Sequence, residues 1–288
     1  MAKRAIILLA ALLSVSGGCK PGMRRALPVC PGKGTVEAAL AVLRSQSEKA
    51  LPLKSTGTCR LEYYTEAGGK RHKEAFAVRL WLNPPAQICL HGDVALDARG
   101  LVLGANEQEF WLSIRPKKIS SYWWGLWSKN NKTSNLMLSP QVVLEAVGAA
   151  AVDPELAEQG EWTLVNEGPF DVLTRRDANG VTIKKIYVSS CDYRVRRIEY
   201  FDEFGRIGVA ADLDRYEEVG EGFFVPRSIK VSRYGPGRMR DSAAITLRSA
   251  KVTSFSDKQA EILFVRPRPD RFKQVYEVVG GKWIEQSQ

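Results

Sequence analysis

The strongest constraint on this chain is a period of two in its apolar residues, repeated in many short runs. The alternation at 75–82 ends at two prolines, and it returns at 87–91, 109–114, 206–213 and 223–231. Successive side chains of a β-strand point to opposite faces, so each run predicts a strand with one apolar face. A proline cannot donate to a strand ladder, which is why the Pro-Pro pair marks an end. The chain is therefore predicted to consist mainly of half-buried strands.

Two segments depart from this period and predict helices. The first runs from Thr35, an N-cap hydroxyl, to Ala50, with apolar residues three and four apart. The second covers Gln141 to Val147 and follows a Ser-Pro pair that is typical of a helix start. Many strands with two helices predict a curved antiparallel sheet in the mainly β (α+β) class. Such a sheet buries its apolar face by closing as a barrel or by curling into a half-open β-barrel with a helical lid, and we expect the half-open form.

The N-terminus has the features of a secretory signal. Two basic residues precede the uncharged stretch 5–15, which is too short to span a hydrocarbon core of about 30 Å. Small residues then lead to Cys19 in a pattern that resembles the bacterial lipobox, although Ser16 stands where leucine is usual. We expect residues 1–18 to be a cleaved signal peptide and Cys19 to carry the acyl anchor of a lipoprotein. Plain secretion, with cleavage after the same small residues, is the alternative.

Behind Cys19 the chain is expected to divide into a tether and one domain. Residues 19–33 contain prolines and glycines without a hydrophobic period, which is typical of a linker, and residues 34–288 carry the strand pattern. Removing residues 1–18 takes away two of the 42 basic residues and none of the 32 acidic ones, so the mature net charge is +8. Export argues against nucleic acid as a partner, so this charge fits an anionic membrane surface or simply a solvated surface. We expect a monomer held at a membrane by its anchor.

Four further cysteines bear on disulfides and metals. They are Cys30, Cys59, Cys89 and Cys191, and their spacing contains no CxxC or cysteine–histidine cluster, which argues against a metal site. Four thiols in an oxidising compartment allow three pairings that sequence alone does not separate. We expect Cys30 to pair with Cys59, because the helix-sized segment between them could fold back to close the loop. The other two fit either a bond or small buried residues.

The sequence carries no motif of a common catalytic site. It has no GxSxG, HExxH, P-loop or glycine-rich dinucleotide turn, and its two histidines are His72 and His91. His72 lies in a basic segment, and His91 alternates with Leu90 and so belongs to the opposite strand face. The basic run 266–271 could contact phosphates, although an exposed edge is the better interpretation. We therefore expect neither an enzyme nor a bound cofactor or metal.

Several stretches resemble the LolA/LolB-like lipoprotein-sorting superfamily of bacteria. The likeness covers roughly residues 54–265 and rests on VRLWLNPP at 78–85, LGANEQEFWL at 103–112, IEYFDEFGR at 198–206 and FVPRSI at 224–229. The resemblance implies a curved sheet and a helical lid that enclose an apolar cavity for the acyl chains of other lipoproteins. The soluble carrier of that system has no lipid anchor, whereas the membrane receptor has one, so Cys19 places this chain nearer the receptor.

The candidate ligand site is the apolar side of the predicted sheet. Eight side chains of one parity would line it: Phe76, Val78, Leu80, Leu82, Ile88, Leu90, Phe110 and Leu112. Ligand sites are concave and mainly apolar, so this face could hold acyl chains, but the same residues could instead fill a closed core. The expected function is thus binding of acyl chains or lipoproteins, in lipoprotein sorting or outer-membrane maintenance. The alternative is an anchored envelope scaffold or partner-binding module with no small ligand.

Two further expectations concern the membrane. By the sorting rule for lipoproteins, Lys20 rather than Asp after Cys19 implies the outer membrane, with the domain facing the periplasm. The stretch 122–127 is the most aromatic in the chain and fits neither a period of two nor one of 3.6. We interpret it as a loop or lid in which Trp123, Trp124 and Trp127 contact a membrane interface or the mouth of the cavity. The alternative is that these rings pack inward and close one end of the sheet.

Overall fold

The computed structural model describes residues 28–64, 69–94, 97–115, 120–127, 139–148, 161–235, 238–270, 272–280 and 282–286. The predicted signal peptide 1–18, Cys19 and the first part of the tether lie outside these residues. No helix within the described ranges is long and apolar enough to cross a membrane.

Fifteen strands of the described chain form one sheet. The strands are β1 (Leu53–Tyr64), β2 (Arg71–Asn83), β3 (Gln87–Val94), β4 (Asp97–Ala105), β5 (Glu109–Ile114), β6 (Ser121–Leu126), β7 (Trp162–Glu167), β8 (Phe170–Arg176), β9 (Thr182–Ser189), β10 (Val195–Phe201), β11 (Ile207–Gly220), β12 (Phe223–Gly235), β13 (Arg238–Val252), β14 (Gln274–Val279) and β15 (Lys282–Glu285). Their order in the sheet is β15-β14-β6-β5-β4-β3-β2-β1-β13-β12-β11-β10-β9-β8-β7.

The sheet is open and curved, and it does not close into a barrel, as β15 and β7 are its two ends. The expected mainly β fold with a half-open barrel is therefore confirmed. The expectation of antiparallel pairing throughout is wrong at one place, because β14 runs parallel to β6. Parallel neighbours need a long crossover, and here the chain after β13 passes across one face of the sheet before β14 begins.

Helix α1 (Val36–Ser47) begins where the sequence predicts and ends three residues early. The hydroxyl of Thr35 accepts a hydrogen bond from the backbone N–H of Ala38, which satisfies one free donor of the first turn. The buried side of α1 carries Ala39, Leu40 and Leu43, and it packs against residues of β8 and β9. This helix thus covers the end of the sheet near β7.

Helix α2 (Pro140–Ala146) also lies where the sequence predicts a helix. Ser139 caps it through a hydrogen bond from the backbone N–H of Val142, and Pro140 occupies the first turn, where its missing N–H costs nothing. Helix α3 (Asp257–Leu263) is not among the predicted helices. A capping box readable in the sequence holds its start, because Ser256 and Gln259 each bond the backbone of the other.

The disulfide joins Cys30 to Cys191, so the predicted Cys30–Cys59 pairing is wrong. Residues 28–33 run along the end of the sheet near β8 and β9 rather than toward β1. The backbone N–H of Cys30 donates to Ser190 Oγ at 3.2 Å, beside the turn that carries Cys191. The thiol of Cys59 is buried in the main core instead, and Cys89 is a second free, buried cysteine.

Candidate functional site

The concave face of the sheet is a mainly apolar surface, and it is the candidate site. All eight predicted lining residues are at most 8% exposed, and all belong to the main hydrophobic core. Pairing aligns them across neighbouring strands: Leu82 lies opposite Ile88, Leu80 opposite Leu90. The structure therefore brings the eight side chains together on one face, as the alternation predicts, while their role in ligand binding stays a prediction.

The same face extends into the other half of the sheet. Strands β1 and β10 to β13 contribute further buried residues that belong to the same core, among them Leu53, Leu61, Ile198, Val209, Ala211, Val231 and Ile245. The apolar surface thus runs from β5 on one side to β10 on the other, and it is interrupted on β1 by the buried hydroxyl of Ser55, which lies opposite Leu80. In aqueous solution, another part of the protein has to cover a surface of this extent, because apolar area exposed to water costs roughly 25 cal/mol per Å².

Helix α2 supplies that cover in the middle of the concavity. It contacts β4 and β5 on one side and β11 and β12 on the other. Its buried residues Val142, Val143 and Leu144 pack into the main core of the sheet. A cavity of about 40 Å³ remains beside Glu145, whereas ligand pockets usually measure about 300–1,000 Å³. Among the described residues, α2 in this position covers the middle of the concave face.

A buried polar cluster holds α2 to the sheet; we call it the Glu145 cluster. Glu145 forms an ion pair with Lys184 of β9 and accepts a hydrogen bond of 2.6 Å from the hydroxyl of Tyr200 on β10. Its other oxygen accepts from the side-chain amide of Gln141, one turn earlier on α2, at 3.1 Å. Only 14% of the Glu145 side chain and 19% of the Lys184 side chain are exposed. Both carboxylate oxygens therefore have partners.

The cluster keeps Glu145 ionised. Burial by itself raises the pKa of this carboxyl, but the Lys184 ammonium and the hydrogen bonds from Lys184, Tyr200 and Gln141 outweigh burial, and the pKa lies below its ordinary value. Burial and the neighbouring carboxylate raise the pKa of Tyr200 far above its usual value, so its hydroxyl stays a donor. A buried charge with its partners in place is stable, and it becomes costly once a partner leaves.

The aromatic stretch is a strand, so the expectation of a loop or lid is wrong for Trp123 and Trp124. Both lie in β6, and Trp127 directly follows it. Trp123 packs on the concave side, whereas Trp124 lies on the convex side beneath Arg266, whose guanidinium carbon is 4.1 Å from the ring centre. Because both faces of β6 are covered, both parities are apolar and the period of two disappears. Contact with a membrane stays a prediction for these residues.

Two of the three tryptophans also have partners along the concave rim. Trp127 packs on Phe110 with ring centres 4.8 Å apart, and its Nε1 donates to the backbone oxygen of Asn106. Trp123 stacks on Tyr276, at 6.0 Å between ring centres, and meets Trp283 edge-on. Neither Tyr276 nor Trp283 is among the predicted site residues, since their place beside β6 depends on the parallel pairing of β14.

Comparison with known proteins supports the fold. No family profile matches the chain, and no curated protein matches it. Three solved structures share the architecture. One is a domain described as an outer membrane lipoprotein-sorting protein from Vibrio parahaemolyticus, with a TM-score of 0.53, 12% identity, and coverage of 76% of this chain and 93% of that one. A LolA superfamily protein from Nitrosomonas europaea gives 0.50, 11%, 76% and 96%.

The third structure is a DUF1329 family protein from Desulfovibrio piger, with a TM-score of 0.54, 16% identity, and coverage of 78% of this chain and 96% of that one. At such low identities the likeness concerns the fold alone. The chain therefore has a LolA/LolB-like fold, and the fold that the sequence resemblance implies is confirmed. Among the described residues, no three histidine, cysteine or acidic side chains are grouped so that they could hold a metal ion.

Proposed function

We propose that this protein is a non-catalytic envelope lipoprotein that binds acyl chains, free or on other lipoproteins, on the concave face, with α2 as the cover of the unloaded site. The observation that carries the proposal is that, within the described ranges, the middle of an apolar surface spanning both halves of the sheet is covered by a short helix of seven residues rather than by a second sheet. Removing one helix leaves every strand ladder intact. The site can therefore open without unfolding the sheet.

The energies of closing and loading are comparable. Lifting α2 exposes Val142, Val143 and Leu144, at about 1.5–3 kcal/mol for each side chain. An acyl chain contributes about 0.8 kcal/mol for each methylene that it buries, so roughly 14 methylenes contribute about 11 kcal/mol. A chain of this length can replace α2 on the sheet, and the Glu145 cluster then sets how readily α2 leaves.

The same proposal includes export and anchoring. It gives residues 1–18 as the signal peptide, Cys19 as the acylated N-terminus, 19–33 as the tether and 34–288 as one domain at the periplasmic side of the outer membrane. The Cys30–Cys191 bond supports export, because disulfides persist in oxidising compartments. A Cys19→Ser chain is expected in the soluble fraction of the envelope. If it stays in the membrane pellet at high salt, the anchor is not at Cys19.

Lipid binding is tested with the Cys19→Ser chain and a fluorescent probe that has a 16-carbon acyl chain, with native mass spectrometry to detect co-purified lipid. We expect saturable binding, and faster uptake by Lys184→Met, which loosens α2. Arg206→Met is the matched control, since Arg206 pairs with Asp202 at an exposed position. Uptake that is unchanged in Lys184→Met would show that α2 is not the gate.

The closed packing of α2 also favours a second candidate function. If α2 stays in place, the concave face is an ordinary core, and the protein acts as an anchored scaffold or partner-binding module. Absence of probe binding and of co-purified lipid in both the parent and Lys184→Met would favour this alternative. Binding of the acyl probe and detection of co-purified lipid therefore distinguish the two functions.

A further inference from the structure

The convex side of the sheet carries a basic surface on four neighbouring strands, β2, β1, β13 and β12; we call it the convex basic face. On β1 the buried odd-numbered residues face the concave side, so the even-numbered ones, from Lys54 to Glu62, lie on the convex side. The strand register places basic residues of the neighbouring strands on the same side, and its members include Lys54, Arg60, Lys73, Arg79, Lys230 and Lys251. In the described parts of these four strands, Glu62 is the one acidic residue on that side.

Several of these cations are exposed and form no ion pair with any carboxylate in the described ranges. They are Lys54, Arg60, Lys230 and Lys251. The carboxylate of Asp212, opposite Lys230 on β11, is already paired with Arg197 of β10. The convex basic face therefore has a surplus of positive charge that the described part of the protein does not balance.

Two of the unpaired lysines face each other across β1 and β13. Lys54 lies directly opposite Lys251 in the antiparallel register. Like charges directly opposite in a sheet are destabilising, because the Cβ atoms of such a pair are only about 4.5–5.5 Å apart. On its other side Lys54 lies opposite the half-buried Trp81 of β2. A bound anion would offset the repulsion, and an indole ring beside lysines is typical of a membrane interface.

Short side chains separate the cations and form a flat floor between them. Ala75 and Ala77 of β2 are exposed, and Thr58 of β1 lies opposite both Ala77 and Thr246 of β13. No described helix covers this floor, since α1 packs at β8 and β9, α2 lies on the concave side, and the segment after α3 lies over β3 to β6. The floor offers no large apolar anchor of the kind that protein interfaces use, so an extended charged surface fits it better.

The dimensions of the face indicate an occupant with many negative charges. From Lys54 to Arg60 the rise of the strand gives roughly 20 Å, and the four strands span roughly 14 Å. One small oxyanion cannot contact cations this far apart, whereas a layer of lipid phosphates can. The expected tether permits that contact, because the eleven residue steps from Cys19 to Cys30 span up to roughly 36–40 Å. The bond from Cys30 to Cys191, in the turn before β10, lies about four strand spacings, or roughly 19 Å, from β1.

We propose that the convex basic face rests on an anionic membrane surface, with lipid phosphates opposite the four unpaired cations. The concave face then points away from that membrane, so that cargo reaches α2 from the aqueous side. This orientation rests on the proposed anchoring at Cys19, but the contact itself is measured with the unanchored Cys19→Ser chain. Failure of the membrane contact and failure of acyl-chain binding are therefore separate results.

The test is flotation of the Cys19→Ser chain with vesicles of phosphatidylglycerol and phosphatidylcholine in equal parts, compared with vesicles of phosphatidylcholine alone. We expect binding to the mixed vesicles that weakens as salt rises, because the screening length falls from about 10 Å at 0.1 M to about 3 Å at 1 M. Neutralising one cation near an anionic surface should weaken binding about fivefold. A fourfold variant, which should bind at least about 100-fold more weakly, combines Lys54→Gln, Arg60→Gln, Lys230→Gln and Lys251→Gln.

A matched control removes the same charge from exposed residues outside the convex basic face. It combines Lys49→Gln, Arg176→Gln, Lys258→Gln and Lys282→Gln. The control should weaken binding no more than about fivefold, because charges beyond the screening length contribute little. An amine-reactive reagent gives a second measurement: mixed vesicles should protect Lys54, Lys230 and Lys251 from labelling and leave Lys258 and Lys282 unprotected.

Equal losses of binding in the fourfold variant and in the control would mean non-specific attraction and would overturn the proposal. Equal binding to both kinds of vesicle, or to neither, would also overturn it. A parent chain that ignores mixed vesicles but binds soluble polyphosphate, with that binding lost in the fourfold variant, would identify a soluble polyanion as the occupant instead of a membrane. If the fourfold variant has a lower Tm than the parent, Arg60→Gln alone, with its expected fivefold loss, provides the same test.

Discussion

The Glu145 cluster gives the sharpest prediction about how α2 is held. Lys184→Met removes the ammonium and leaves the Glu145 carboxylate buried without its counter-charge. Breaking a fully buried pair costs about 3–5 kcal/mol. A seventh of the Glu145 side chain and a fifth of the Lys184 side chain still reach solvent, so we expect a smaller loss of about 2–4 kcal/mol in the free energy of unfolding.

The reverse substitution is expected to cost less. In Glu145→Gln the amide oxygen still accepts from Tyr200, and the flexible Lys184 stem can turn its ammonium to water, so the loss is about 1–2 kcal/mol. The double variant should cost less than the two single losses together, with a coupling energy of at least about 1 kcal/mol. The control variant Arg206→Met, which breaks the exposed Arg206–Asp202 pair, should lower the free energy of unfolding by no more than about 1 kcal/mol.

Urea unfolding gives these free energies, and amide hydrogen exchange of residues 139–148 shows where the change acts. A local effect on α2 raises exchange there before the strands β8 to β13 respond, because sub-global openings need less free energy than full unfolding. Wild-type exchange of α2 in Lys184→Met, together with a coupling energy near zero, would refute the claim that the cluster holds the helix.

Three further predictions concern pH dependence, core burial and the disulfide. Folding lowers the pKa of Glu145, so the contribution of its carboxylate to the free energy of unfolding is complete above about pH 4.5 and is lost as pH falls through the lowered pKa. The difference in Tm between the parent and Glu145→Gln should therefore shrink from about pH 5 to pH 3. Leu80→Asp, at a position 1% exposed, should lose at least about 4 kcal/mol, while exposed Lys230→Asp stays within about 0.5 kcal/mol by urea unfolding. Cys30→Ser should lower the free energy of unfolding by about 2–5 kcal/mol, and chemical reduction of the parent chain should lower it by the same amount. Peptide mapping that finds a disulfide other than Cys30–Cys191 would contradict this prediction.

The strands and the buried parity follow from local pattern, because each run records the two faces of its own strand. Phe76 to Leu82 illustrates this, since alternation alone puts its apolar residues on the concave face. Strand β6 does not follow the same rule, because its convex side is buried under residues such as Arg266 and Phe272, some 150 residues later in the chain. Local pattern cannot show which distant segment covers a strand.

Pairings between distant residues are the part that the sequence does not predict. The Cys30–Cys191 bond spans 161 residues, and it forms because residues 28–33 pack beside β8 and β9, a fact of register rather than composition. The sequence likewise does not mark Lys184 or Tyr200 as partners of α2. Glu145 is easier to single out, because it is the lone charge in the predicted helix 141–147, and a carboxylate that is buried with such a helix needs a partner.

Under the proposed function, α2 has to close the concave face and also to return to one position, and different contacts meet these two requirements. Apolar contacts between α2 and the sheet provide most of the free energy of closure, but they act over a broad surface and favour many positions of a short helix almost equally. The Glu145 cluster is directional, because the carboxylate is satisfied only where Lys184 and Tyr200 both reach it. Under the proposed function, an acyl chain would replace the apolar contacts but not the polar ones. The cluster would then fix where α2 returns after the ligand leaves, and we expect its loss to change the rate of exchange more than the affinity of the sheet for acyl chains.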